Sequence, residues 1–220
     1  WTSTATRTDP RVAPQGKGPL RRLMAVPDFV RLWLAGGFTN TMRMQETLVA
    51  GVFAYQQTGS AFVVSLVLML RAVPMMLLGA VAGALAESFD RKKLLMGGQA
   101  LAALGALTVT LLSATGRLEL WHLALSSFLG GLVWTNEHAT RRRMVAEVAG
   151  ARDMVPAVAL DTTTGSTTRM LGPLLGGLFF QFFGLTAAYA LATVLYVTAY
   201  LCVRGVRQGQ EPREGARRAL

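Results

Sequence analysis

Five ionisable residues lie inside stretches that are otherwise apolar: Arg43, Glu46, Arg71, Asp161 and Arg169. A charge at the centre of a bilayer costs at least about 2.5 kcal/mol, so such residues pair with one another, face water or do chemistry. A carboxylate there can take up and release a proton. An arginine can hold that carboxylate or an anionic substrate. Thr39, Asn40, Arg43, Glu46 and Thr47 fall within about a 120° arc at 100° per residue. This stripe must face protein or a water-filled cavity, because lipid satisfies no polar group. Arg43 and Glu46, three residues apart, can pair within one helix. The pair reads either as a packing device or as part of a cavity-lining substrate or proton site.

The elements that position these groups follow from composition. The 220-residue chain is 52% hydrophobic and 15% charged, against about 25% charged in an ordinary soluble domain. Its mean hydropathy is +0.39. Six apolar runs are long enough to cross a bilayer: Leu32 to Tyr55, Phe62 to Ala86, Leu94 to Thr115, Leu120 to His138, Met154 to Phe183 and Leu185 to Val203. The expected fold is an all-α membrane protein, a six-helix transmembrane bundle over residues 28–204. Residues 1–27 read as a basic, disordered cytoplasmic tail, with Leu20 to Phe29 as a possible short helix on the membrane surface. Residues 205–220 read as a basic cytoplasmic loop or tail.

The net charge of +10 suggests nucleic acid at first sight, but the positions of the charges argue against it. Eighteen of the 22 Lys and Arg residues fall in the amino-terminal tail and first helix start, the second link, the fourth link and the carboxyl-terminal tail. The opposite side holds only Arg117, and three lie within the spans. Basic loops mark the cytoplasmic face, so both termini are expected there, in a cell membrane. The expected partner on these grounds is the lipid bilayer, with no nucleic acid.

Cysteine and histidine exclude other chemistry. Cys202 is the one cysteine, and the two histidines are far apart in sequence, which gives no metal-ligand spacing. No GxSG sequence of a membrane serine protease and no P-loop is present. No enzyme activity, metal or cofactor is expected. A channel, the other rival, would need a filter segment, and none is seen.

Depth counts at about 1.5 Å per residue place Glu46 roughly 21 Å and Arg169 roughly 22 Å from the cytoplasmic ends of their helices, and Arg71 about 13 Å from the outer face. Glu46 is therefore expected to approach Arg169 or Arg71. In the fifth run, Asp161, Gly165, Thr168, Gly172 and Gly176 share one face of small residues suited to close helix approach.

The second link reads Gly83-Ala84-Leu85-Ala86-Glu87-Ser88-Phe89-Asp90-Arg91-Lys92-Lys93. It resembles the loop motif of the major facilitator superfamily, with Gly83, Glu87, Arg91 and Lys92 at matching positions. Glu87 stands where aspartate is commoner, Ser88 in place of an arginine and Asp90 in place of a glycine. The fifth run, with Gly172-Pro173-Leu174-Leu175-Gly176-Gly177 following Gly165, is similar to the GPxxGG pattern of exporters in that family. No match to the family's fourth-helix arginine motif is present. The resemblance, over residues 28 to 204, is closest to the branch of siderophore and macrolide exporters. It implies the amino-terminal half of a transporter, built as a 3+3 inverted repeat, and alternating access at mid-membrane. Arg71 with Pro74 and Gly79, and Arg169 with Pro173 and Gly177, faintly echo that repeat. It further implies that the loop latches the cytoplasmic helix ends. Asn40, Arg43, Glu46, Arg71, Asp161 and Arg169, as polar groups within the spans, are the expected lining of a substrate or proton pathway. A second six-helix half, or a second copy of the chain, would complete the cavity. Proton-coupled export of a drug, siderophore or metabolite is the expected activity. A dimeric channel or assembly subunit is the alternative.

Overall fold

The computed structural model describes residues 18–88 and 90–207, without the side chains of 78–89 and 139. Residues 1–17 and 208–220 of the expected tails, and the surroundings of Gly83 and the Glu87 side chain in the loop motif, lie outside what is described. Regular structure in the described residues is helical throughout.

A short helix, α1 (Pro19–Met24), precedes α2 (Pro27–Thr58), α3 (Ala61–Ser88) and α4 (Arg91–Ala114). The helical run Leu120–Arg204 is broken where Gly150 (φ 72°, ψ 168°) and Gly184 (φ 77°, ψ 179°) leave helical geometry. That backbone region is open essentially to glycine alone. The run is therefore three helices, α5 (120–149), α6 (151–183) and α7 (185–204). Proline starts both α1 and α2, where its missing N–H costs nothing. Asp90 caps α4, its Oδ1 accepting from the Lys92 amide at 2.9 Å and the Lys93 amide at 3.4 Å.

Two expectations need correction. The tail is not disordered throughout to residue 27, and the short helix read at Leu20 to Phe29 is present but starts at Pro19 and ends at Met24. Residues 19–24 are helical, and Leu23 is fully buried against Met144, Val145 and Val148, a burial that stabilises by about 1.5–3 kcal/mol. Arg22 secures α1 with bonds to both carboxylate oxygens of Asp153, at 2.6 and 3.1 Å. Nor does the fourth span end near His138 in a long basic loop. The helix runs on to residue 149, because arginine is itself a good helix former, and the break waits for Gly150.

The core has two main layers and a small third cluster of Ala50, Ala54 and Val67. One is built by Phe29, Leu32, Leu95, Met144, Val145 and Val203, beside α1. The other is built by Met42, Val49, Ala106, Val109, Leu123 and Tyr189. Large apolar side chains also cover the outside: Met76 and Met170 are 81% and 80% exposed, which water would penalise and lipid would not. The helix α4 and the run Leu120–Arg204 each contain an 18-residue window of mean hydropathy 1.7, long and apolar enough to cross a membrane. Ala61–Leu77 is a shorter apolar stretch. The helix α2 is continuous, but its polar stripe interrupts its apolar run.

Candidate functional site

Between the two core layers the bundle holds a small cavity of about 20 Å³, room for one water molecule. The helices α2, α3, α4, α5 and α7 line it, and its polar walls include Thr39, Arg43, Glu46, Arg71, Glu137 and Tyr196.

Glu46 is buried, and its Oε2 accepts a hydrogen bond from the Tyr196 hydroxyl at 3.0 Å. The Arg71 guanidinium lies 3.7 Å from the same oxygen. This is within ion-pair distance but longer than a hydrogen bond. One carboxylate of α2 thus faces a cation from α3 and a phenol from α7. Arg43 does not pair with Glu46. It donates to Asn40 Oδ1 and lays its guanidinium 4.7 Å from the Trp134 ring centroid, a cation–π arrangement. Asn40 in turn donates to the Gly165 carbonyl at 3.0 Å and to the Thr168 hydroxyl. A chain of polar contacts therefore runs from Trp134 on α5 through α2 to α6.

A second buried carboxylate, Glu137, accepts from Gln99 Nε2 at 3.1 Å, and the same amide donates to Thr39 Oγ1 at 2.9 Å. Gln99 is 1% exposed. A full hydrogen-bond set is what lets such an amide sit there. A third buried pair, Arg141 with Asp161, joins α5 to α6.

The sequence-predicted residues therefore separate. Arg43, Glu46 and Arg71 meet at the cavity, and Asn40 reaches it through Arg43. Asp161 is held by Arg141 away from the cavity lining, and Arg169 is exposed on α6 with no ion pair among the described residues. Sequence reasoning missed Glu137, Gln99, Trp134, Tyr196 and Arg141. Glu137 and Arg141 were read as span end and loop. They fall on one face of α5 once the helix is allowed to pass His138.

The chain matches, over residues 18–219, the family described as transmembrane secretion effector, a branch of the major facilitators labelled MFS_3. The chain belongs to the major facilitator superfamily. It is also 28% identical over 146 residues to YfiS of Bacillus subtilis (strain 168), an uncharacterized MFS-type transporter. That match covers 66% of the chain and 32% of YfiS, so the chain spans about a third of the relative's length in alignment. A major facilitator protein is a multi-pass membrane protein, and the family is one of transporters.

Both motifs of this major facilitator chain have a physical setting. In the second link, Arg91 pairs with Glu147 of α5, and Lys92 Nζ donates to the Val206 carbonyl at 2.7 Å. Asp90, in the place of a glycine, supplies the cap of α4. In the fifth-helix motif, Gly172 and Gly176 are buried against α2. A Cβ on Gly176 would lie 2.6 Å from Gln45 Cγ and 3.0 Å from its Cα, and one on Gly172 would lie 2.8 Å from Met44 Cβ. Gly177 faces Leu48. Pro173 is accommodated within α6, which continues through it.

Proposed function

We propose that this chain forms the amino-terminal six-helix half of a secondary active transporter. It exports a small molecule by alternating access, with proton movement through Glu46 as the coupling step. The observation that carries the reading is the buried Glu46 carboxylate, 3.7 Å from Arg71 and hydrogen-bonded by Tyr196, on the wall of a polar cavity. When Glu46 is ionised, Arg71 is held across the α2–α3 boundary. When Glu46 takes a proton the attraction is lost, and α3 is released to move relative to α2. That is the differential interaction a coupling group must supply.

The rest of the architecture supports the same reading. The helices α2 to α7 are each taken to cross the membrane, with α2–α4 and α5–α7 as the two inverted triplets. The basic links place both ends in the cytoplasm. Arg91 and Lys92 act as the latch at that face, and Asp161, tied to Arg141, is the second carboxylate of the pathway. The exposed faces of α3 and α6 meet a second six-helix half or a second copy of the chain, which completes the cavity. The substrate is a drug, siderophore or metabolite.

The test is reconstitution of the full-length gene product into proteoliposomes loaded with candidate substrates. The expected result is efflux that follows an imposed proton gradient and is abolished by Glu46→Gln. Ion flux that ignores the gradient would instead establish the channel alternative.

A further inference from the structure

The ion pairs of the bundle leave a surplus of positive charge on one line. Arg71 is matched by Glu46 and Arg141 by Asp161, while Arg142 and Arg169 form no ion pair among the described residues. On α6, Arg169, Thr162 and Ser166 fall within about a 60° sector at 100° per residue, beside the face buried against α2. All three are exposed. Arg142 reaches the same line from α5, its Nη2 donating to Thr162 Oγ1 at 3.2 Å. The track therefore runs from the arginine-rich end of α5 down to Arg169, near the middle of α6. At its lower end Arg43 is joined to the same helix through Asn40, which donates to the hydroxyl of Thr168, the neighbour of Arg169 in sequence.

An arginine near the middle of a membrane helix, exposed and without a carboxylate, does not face lipid. It faces water or an anionic partner. The two hydroxyls between the arginines add donors that a carboxylate or phosphate oxygen accepts, and guanidinium groups bind such oxygens in pairs. From this placement we infer that the transported molecule carries a negatively charged group, which the line Arg142–Thr162–Ser166–Arg169 guides from the cytoplasmic end toward Arg43. This rests on the transporter reading for what the site is for, and adds to it the charge class of the substrate. Arg169 is here a binding residue, and Arg142 sits at the entry.

The experiment uses the full-length protein in lipid nanodiscs and three probes of one shape: 1-naphthylacetate, its neutral amide, and the cation 2-(1-naphthyl)ethylammonium. Equilibrium dialysis is expected to give binding of the anion at least tenfold tighter than of either analogue. Arg169→Gln should erase that preference, and Arg169→Lys should keep it within about threefold. Equal or tighter binding of the neutral or cationic probe overturns the inference, and the wild-type comparison alone decides this if a variant fails to fold. Survival of the preference in Arg169→Gln also overturns it. Counterflow of the same probes in proteoliposomes separates the two readings. Selective binding of the anion without movement leaves the anion-binding line standing and sinks the transport reading. Movement of the neutral or cationic probe in preference to the anion does the reverse.

Discussion

Glu46 and Arg71 face each other at 3.7 Å across the contact of α2 and α3, with the Tyr196 hydroxyl as the other partner of the same carboxylate oxygen. The two charges come from different helices, so neutralising one changes the attraction between the helices. Glu46→Gln keeps the shape and removes the charge. It is expected to cut gradient-driven transport by the full-length protein more than tenfold while leaving substrate counterflow within about threefold. Equal loss of both activities would make Glu46 a structural residue only. Glu46→Ala strands Arg71 and should destabilise the detergent-solubilised protein by about 3–5 kcal/mol, the usual cost of breaking a buried pair from one side.

The small-residue face of α6 makes a sharper prediction because its members differ. A Cβ at Gly176 meets the backbone Cα of Gln45, which cannot give way as a side-chain tip can. A Cβ at Gly165 meets nothing within 4 Å. Gly176→Ala should cost about 1–3 kcal/mol through forced separation of α2 and α6. Gly165→Ala should be neutral, or stabilise by up to about 1 kcal/mol through helix propensity. Thermal unfolding of the two variants side by side checks this. Equal melting temperatures would refute the close approach.

These two sites also show what was legible in the sequence. Membrane insertion was legible because apolar runs of about 20 residues and basic clusters follow from bilayer thickness and charge transfer cost alone. The Gly172–Gly176 face was legible because helical spacing is periodic. The Glu46 to Arg71 approach was narrowed to two partners by depth counting. Choosing between Arg71 and Arg169 depends on how helices rotate about their axes, which no single run encodes. Glu137 and Arg141 were misplaced for a related reason. Four arginines between residues 141 and 152 look like a loop to a hydropathy argument. A helix keeps its backbone hydrogen bonds through such residues, and the break comes only at Gly150. Gln99 gave no signal, since one amide in an apolar run acquires meaning only from the Glu137 and Thr39 it meets.

The docking of α1 should respond to acid. The hydrogen bond from the Arg22 guanidinium holds the Asp153 carboxyl below its ordinary range. A carboxylate whose folded value is depressed contributes stability that is fully present above the unfolded value, near 3.9. That contribution is lost as pH falls through the folded value. Hydrogen exchange of the Leu23 and Met24 amides, corrected for intrinsic rates, should therefore be steady from pH 7 to about 4 and rise below it. Asp153→Asn should exchange faster at neutral pH and show no acid step. An acid step that persists in that variant would assign the sensitivity to another carboxyl.

Gln99 fills the space between Glu137 and Thr39, with one nitrogen donating to both. Gln99→Leu conserves volume roughly but leaves Glu137 short of a partner. The cost of a buried acceptor left unmet is about 1–3 kcal/mol, and more when it is charged. The loss should shrink in the double variant Gln99→Leu with Glu137→Leu, where neither polar group remains. If the double variant is less stable than the sum of the two single changes, the amide is not serving Glu137.

The Arg141–Asp161 pair offers the same cycle at a second place, and there the outcome separates stability from transport. Both side chains are buried, and the pair ties α5 to α6. Asp161→Asn should cost several kcal/mol by leaving Arg141 charged and alone, whereas Arg141→Met with Asp161→Leu should recover most of it, because a matched apolar pair avoids desolvating two charges. If Asp161 also belongs to the pathway, the recovered double variant will melt near the wild-type temperature and still fail in gradient-driven efflux. A double variant with both stability and efflux restored would confine Asp161 to holding the helices together, leaving Glu46 as the carboxylate that couples.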